Sequence, residues 1–530
     1  MNPDGISYVD IGDAFFHGNW TAVLNPYWSP LYPIVLGAAR RIFSVPLKWE
    51  YPLIHAVNFA IFVFLIIPCF EFFWRTVFGS DFSPGQQLPR LDAAWWVVGY
   101  ALLAVTMHMQ QALAVVTPDL MVTGLLLLAA GILVRVRSET SRARDFLLLG
   151  AILGVGYLAK APMFPVAFFF FVAASAHRRL DSRQLLRLCL MILAFALVSV
   201  PLVFLLSRHN RGFTFGESGK LNLAWHIDGV APWYEFWEGG PAGSGMPIHP
   251  PRQIWHSPDV YEFATPISAT YPVWYDPRYW HEGVRAHPDA HGMARASLQN
   301  LRIYLEFFGE EYYVPFVTVL LFLTALRRDC LAVFRHLLRH WPLLLVAVCA
   351  LVMYGVILVD PRFVAGFLFL LWPPLFLTTG AFTSNTTRVA RAAAFSLAIM
   401  VLPILRRGVI EERHEDTEQN NIKTAIAVQQ SGINPGDKIA YIGDAIEAVW
   451  AKLDKISIVV EAPSHYWSAD GHFRAVEKPF WQSLESEQAA IYDALGKTDI
   501  KAILATTPST GVPGGWQQVG HTNLCVKFLR

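Results

Sequence analysis

Residues 142–179 read RARDFLLLGAILGVGYLAKAPMFPVAFFFFVAASAHRR, and this stretch decides the fold. Two apolar runs, 145–159 and 162–178, are joined through Lys160, Ala161 and Pro162, with arginines at both far ends. Crossing roughly 30 Å of hydrocarbon takes about 20 residues in a helix. Each run approaches that length with its flanks. Read as two spans and a tight turn, they put both arginine groups on one side of a membrane and Lys160 on the other.

The rest of the chain agrees. Of 530 residues, 54% are hydrophobic, 14% aromatic and 16% charged. A soluble chain would carry about a quarter charged residues. A formal net charge of +1 gives no reason to expect a nucleic-acid partner. Further apolar runs bring the expected spans to ten: 52–78, 93–112, 118–136, 145–159, 162–178, 186–206, 313–327, 341–359, 362–380 and 391–406. Pro162 and Pro201 fall at or near span ends, where a helix tolerates proline.

Arginines set the orientation. Arg135, Arg137, Arg142 and Arg144 flank SETS; Arg178, Arg179, Arg183 and Arg187 follow; Arg327, Arg328, Arg335, Arg339, Arg388 and Arg391 complete the set. Alternation places all of them on one side, which the positive-inside rule makes cytoplasmic. Residues 1–51, 207–310 and the tail from 407 then face out. With 1–51 outside and no apolar run before them, an additional span of about 20 residues is expected upstream of Met1.

The partition gathers chemistry at the outer face. Asp4, Asp10, Asp13, Asp119, Lys160, Asp360 and Arg362 all lie in outer loops or at outer span ends. Ionisable groups at membrane depth are costly and tend to be paired or functional. Each taken alone could instead sit among headgroups, and Asp4 and Asp119 could be helix caps.

Segment 207–310 is rich in Trp, Tyr, His, Pro and Gly, with little helical or strand periodicity. Such a long irregular loop is usually functional. Aromatic faces such as Trp274, Tyr275, Tyr279 and Trp280 suit a sugar ring or a lipid headgroup; an interfacial aromatic belt is the plainer reading. His249, His256, His281, His287 and His291 match no compact ligand spacing, so no metal and no cofactor are expected. The five cysteines show no metal or redox spacing, and only Cys525 lies in the tail, which excludes a disulfide within it.

The tail alternates strand and helix patterns. GDKIAYIGD, ISIVVEA, IKAILATT and LCVKFL read as strands, AIEAVWAKL and SEQAAIYDALGKT as helices. This suggests a soluble α/β domain with a mainly parallel sheet. It has no nucleophile elbow, phosphate loop or dinucleotide fingerprint. The expected architecture is therefore a mainly α, polytopic membrane helix bundle (52–206 and 311–406), a first outer loop with juxtamembrane helices (1–51), an aromatic-rich outer loop (207–310) and an external α/β domain (407–530).

The acidic first loop, YWSPLYPIVLGAA, TPD at a span start, GYLAKAPMFPV and DPRFVAGFLFLLWPPLFL resemble, in order and sidedness over about residues 1–406, the polytopic GT-C glycosyltransferases. The likeness is to the family-39-like enzymes related to protein mannosyltransferases and lipid A aminoarabinose transferases. The resemblance implies an inverting transfer of a sugar from a polyprenyl-phosphate carrier to a glycan, lipid or protein acceptor at the outer face of a bacterial inner membrane. It implies Asp4 as catalytic base and Lys160 and Arg362 as phosphate ligands, with Tyr8, Asp119 and Asp360 in support. Gly5 stands where the family usually has a second acidic residue, and WSPLYP replaces its Lys-Pro-Pro-Leu element. A transporter or flippase of a lipid-linked sugar, and a non-catalytic membrane scaffold, are the alternative readings. A transporter would show repeated halves and broken helices; a scaffold would not need the outer-face charges.

Overall fold

The computed structural model describes residues 1–79, 93–111, 113–138, 141–176, 181–230, 242–263, 269–287, 289–307, 326, 329–382, 395, 416–467 and 473–529. The chain divides into two compact units. One comprises Met1–Ala56, Glu217–Gly292 and His414–Arg530; the other comprises Val57–Gly216 and Met293–Arg413.

The second unit is the membrane bundle. Among the described residues five helices are long and apolar enough to span: Leu47–Gly79, which lies in this unit from Val57 on, Asp119–Val136, Ser182–His209, Cys330–Ile357 and Pro361–Thr379. Ala93–Met109 and Met163–Ser175 are apolar but shorter, and Ala143–Ala159 is helical as well. Expected spans 313–327 and 391–406 lie, but for Leu326 and Phe395, outside the described residues.

Local signals fix the helix ends. Asp181 caps Ser182–His209 by accepting from the Gln184 N–H at 2.7 Å. Pro162 is the N-cap of Met163–Ser175. Pro201, expected near a span end, lies inside its helix, which continues to His209. Neighbouring helices and local backbone adjustment let membrane helices tolerate such interruptions. The Ala143–Ala159 and Ser182–His209 helices meet at Gly150, where a Cβ would stand 2.0 Å from the Met191 carbonyl oxygen. Glycine is what allows that approach.

The first unit begins with helices Pro3–Phe16, Trp20–Val23 and Leu31–Phe43. Pro3–Phe16 and Leu31–Phe43 cross at two glycines. A Cβ on Gly12 would lie 2.5 Å from the Pro33 oxygen, and one on Gly37 2.7 Å from the Gly12 oxygen.

Among its described residues the same unit holds nine strands: β1 Arg252–Trp255, β2 Val260–Glu262, β3 Lys438–Ile442, β4 Ser457–Ala462, β5 His465–Trp467, β6 Phe473–Ala475, β7 Ala502–Thr506, β8 Gln517–Gln518 and β9 Leu524–Phe528. Seven form one sheet in the order β1-β2-β4-β3-β7-β9-β8, and β5 pairs with β6. The four strands read from the tail sequence are β3, β4, β7 and β9. Only β4-β3-β7 is parallel; β1-β2, β2-β4, β7-β9 and β8-β9 are antiparallel. The sheet is thus more mixed than expected. Ile442, Val460, Ile503 and Cys525 pack with Phe480, Ile491 and Trp516 into its core.

Segment 207–310 is less irregular than its sequence suggested. It supplies β1 and β2 and the helices Ser218–His226, Pro272–Tyr275, Pro277–Trp280 and Ala290–Glu306. Strands of three or four residues carry no readable periodicity; β2 is held by pairing Tyr261 with Glu461 and Glu262 with Val460.

Candidate active site

In the membrane unit, the charged residues expected at span ends converge. Lys160 ends the Ala143–Ala159 helix in an extended conformation, its N–H bonded to the Gly156 oxygen at 2.9 Å. Two residues later Pro162 caps the next helix, so the lysine sits in a tight junction. Its Nζ donates to Asp119 Oδ1 at 2.5 Å and stands 3.7 Å from the centre of the Phe363 ring. Asp119 is the first residue of Asp119–Val136. It makes no capping bond there, its side chain is buried and it pairs with the lysine instead. The capping alternative for Asp119 therefore fails.

Asp360 and Arg362 open the Pro361–Ala381 helix. Asp360 Oδ1 accepts the Arg362 N–H at 2.8 Å, the bond of an N-cap followed by proline. The Arg362 guanidinium reaches the same carboxylate at 3.3 and 3.4 Å and lies 5.5 Å from the Phe363 ring centre. Gln110 Nε2 donates both to Thr123 Oγ1 at 2.9 Å and to the Arg362 oxygen at 3.0 Å, tying the two helix starts together. Two cations, two carboxylates and two helix N-termini thus share one ring. Helix N-termini favour anions. Gln110 carried no signal in the sequence, and Phe363 lies within DPRFVAGFLFLLWPPLFL.

In the other unit, one face of the Pro3–Phe16 helix carries Asp4, Ser7, Asp10 and Asp13 at a spacing of three. The segment 270–274 runs along it. Thr270 donates through N–H and Oγ1 to Asp10, at 2.9 and 3.1 Å. Ser7 Oγ donates to the Trp274 oxygen at 3.4 Å, and Trp274 Nε1 donates to Asp4 Oδ1 at 3.2 Å. Lys452 donates to Asp10 at 2.5 Å and to Asp13 at 2.9 Å, and Arg40 pairs with Asp13 and Glu50. Burial disfavours a charged Asp13, but Lys452 and Arg40 outweigh it and hold the carboxyl at about 2. Lys452 was missed in the sequence.

Asn2 occupies the N-cap position, so Asp4 lies inside the first turn and is not the cap. Tyr27 and the half-exposed Trp274 have ring centres 6.2 Å apart, and Trp28 stands 6.0 Å from Trp274. Burial, then the Asp4 charge, push the Tyr27 phenol up, so it stays protonated. Tyr8 is buried edge-on against Trp28 and Tyr32, at 5.1 and 5.4 Å.

The other aromatic candidates divide. Tyr275 and Trp280 are buried, donating to the Ala22 and Pro272 oxygens at 2.8 and 3.1 Å. Those two are packing groups in this structure. Tyr279 stacks on His249 with ring centres 4.1 Å apart. His249 also pairs with Glu282, and His281 lies between Trp225 and the Pro277 oxygen. Among the described residues no group of three or more His, Cys, Asp or Glu could hold a metal ion.

A known structure shares this fold. ArnT from Cupriavidus metallidurans, crystallised with undecaprenyl phosphate, is 13% identical and superposes with a TM-score of 0.50 over 99% of this chain and 93% of that one. The chain has the fold of the GT-C glycosyltransferases. The apo crystal structure of the same ArnT matches with 14% identity, a TM-score of 0.47 and the same coverage. Residues 91–204, which include Asp119 and Lys160, match the family described as dolichyl-phosphate-mannose-protein mannosyltransferase. No curated protein matches the chain by sequence.

Proposed function

We propose that this GT-C-fold protein transfers a sugar from a polyprenyl-phosphate carrier to an acceptor hydroxyl at the outer face of a bacterial inner membrane, with inversion. One observation carries the reading: Lys160 and Arg362 meet at the Phe363 ring beside two helix N-termini. ArnT, which shares the fold, was crystallised with undecaprenyl phosphate.

A carrier phosphate is a diester before transfer and a monoester afterwards, so it gains negative charge as the sugar leaves. Cations and oriented N–H groups aimed at that developing charge favour the transition state over the ground state. Lys160 supplies a compact charge. Arg362 supplies a planar fork suited to two phosphate oxygens. In this structure the fork contacts Asp360 at 3.3 and 3.4 Å.

Asp4 takes the role of base. The acceptor oxygen attacks the anomeric carbon from the face opposite the phosphate. The carbon–phosphate-oxygen bond breaks, its electron pair leaves with the polyprenyl phosphate, and Asp4 accepts the acceptor's proton. A carboxylate suffices, because the hydroxyl becomes acidic only as the new bond forms. Asp10 and Asp13 are ion-paired with Lys452, and Asp4 is chosen of the three because it alone has the motif position.

The test is reconstitution of the purified chain in vesicles with radiolabelled undecaprenyl-phosphate sugars and a cell-envelope acceptor fraction. Release of undecaprenyl phosphate with label moved to the acceptor supports the proposal. Passage of intact donor across the bilayer without cleavage would identify a transporter. Neither activity, with the carrier unbound, would leave a scaffold.

A further inference from the structure

Asp4 and Trp274 are 270 residues apart in sequence, and the indole N–H of Trp274 donates to Asp4 Oδ1 at 3.2 Å. The donor is held from several sides. Ser7, one turn along from Asp4, donates to the Trp274 oxygen at 3.4 Å. Thr270 is bonded twice to Asp10. Next to Trp274, the Tyr275 oxygen accepts from Asn25 Nδ2 at 2.8 Å and from Trp28 Nε1 at 3.1 Å. The Tyr275 hydroxyl donates to the Ala22 oxygen at 2.8 Å. The Pro272–Tyr275 turn is thereby fixed to the helix that carries Asp4 and to the residues that follow it.

So many bonds make a rigid support for one N–H. Packing of a tryptophan does not require that its polar edge meet a carboxylate, and an indole can only donate. A carboxylate with one oxygen fixed has its other oxygen set in direction, which a general base needs in order to meet an acceptor proton.

We infer that Trp274 is a positioning residue: its indole N–H orients the Asp4 carboxylate for proton transfer. The inference rests on the assignment of Asp4 as base. It also gives Trp274 a role other than sugar contact.

The full chain in lipid discs, with undecaprenyl-phosphate sugar as donor and a cell-envelope acceptor fraction, tests it. Asp4→Asn should abolish transfer. Trp274→Phe keeps an aromatic ring and removes the N–H, and kcat should fall about tenfold with donor KM unchanged, the scale of a hydrogen bond to a charged group. Trp274→His returns a ring N–H and should recover part of the loss. Should Trp274→Phe melt early, Trp274→benzothienylalanine replaces only the N–H by sulfur and should show the same kcat loss at wild-type stability. If Asp4→Asn is inactive while both N–H-deficient variants keep kcat within about twofold of wild type, the positioning role is wrong and the base assignment stands. If donor KM rises with kcat unchanged, Trp274 contacts substrate and the inference is overturned. Near-normal transfer by Asp4→Asn would remove the base assignment, and this inference with it.

Discussion

Lys452 and Asp10 lie 442 residues apart in the chain, yet the lysine Nζ is 2.5 Å from the Asp10 carboxylate, with the lysine buried and the carboxylate 9% exposed. Asp13 takes a second bond from the same nitrogen. The pair joins the first helix to the short Trp450–Leu453 helix of the tail. Removing one partner of a buried ion pair leaves the other charge uncompensated, at a cost of about 3 kcal/mol or more. Lys452→Met should therefore lower the melting temperature clearly, whereas Lys452→Arg should recover some of it. A Lys452→Met protein as stable as wild type would mean that the pair is solvated.

The same network predicts a pH response. Asp13 is held at about 2, below its ordinary 3.8, because Lys452 and Arg40 overcome its burial. Glu418 is likewise lowered from 4.5, because His55 overcomes its burial. Groups with depressed folded values stabilise above their unfolded values and lose that contribution as pH falls. Stability should decline from about pH 4.5 towards 2. Asp454 works in the opposite sense: burial pushes it up to about 8 from 3.8, against a weaker pull from Gln429. Its contribution is complete below 3.8 and is lost as pH rises through 8. Melting curves across pH should show Asp13→Asn flattening the acid side and Asp454→Asn removing the decline between 3.8 and about 8. Unchanged slopes in either variant would contradict its assignment.

What the sequence revealed follows physical range. Spans were legible because a continuous apolar run is a local signal. Lys160, Asp119, Asp360 and Arg362 were legible together because alternation of spans sorts them to one end of the bundle. The bond from Trp274 to Asp4 was not, since nothing local to DGISYVD tells which distant indole will meet it. The same holds for Lys452, whose burial depends on the acids of another segment. Strands β1 and β2 were hidden for a different reason: each is three or four residues long, and its partner lies in the tail or across a turn.

Helix packing in the bundle offers a clean contrast between two glycines of one helix. A Cβ at Gly150 would lie 2.0 Å from the backbone oxygen of Met191, which cannot yield without moving a helix. At Gly156 the nearest atom is the Met163 Cε at 3.2 Å, the mobile end of a flexible side chain. Gly150→Ala should cost roughly 1–3 kcal/mol, the range for overpacking. Gly156→Ala should be close to neutral. Equal melting temperatures for the two variants would contradict the contact.

The Lys160–Asp119 pair separates structure from function most sharply. Lys160→Gln removes the ammonium and strands a buried carboxylate, so both stability and carrier binding are expected to fall. The double variant Lys160→Gln, Asp119→Asn leaves no charge behind and should regain most of the stability. If Lys160 binds the carrier phosphate, the double variant should still bind undecaprenyl phosphate about tenfold or more weakly, because the charge-assisted bond is gone. Asp119→Asn alone keeps the ammonium and releases it from its carboxylate, so its affinity should equal or exceed that of wild type. Binding of undecaprenyl phosphate to the four proteins, set beside their melting temperatures, decides the matter. Recovery of both stability and affinity in the double variant would make Lys160 a structural residue. The phosphate would then have to be held by Arg362 and the N-terminus of its helix.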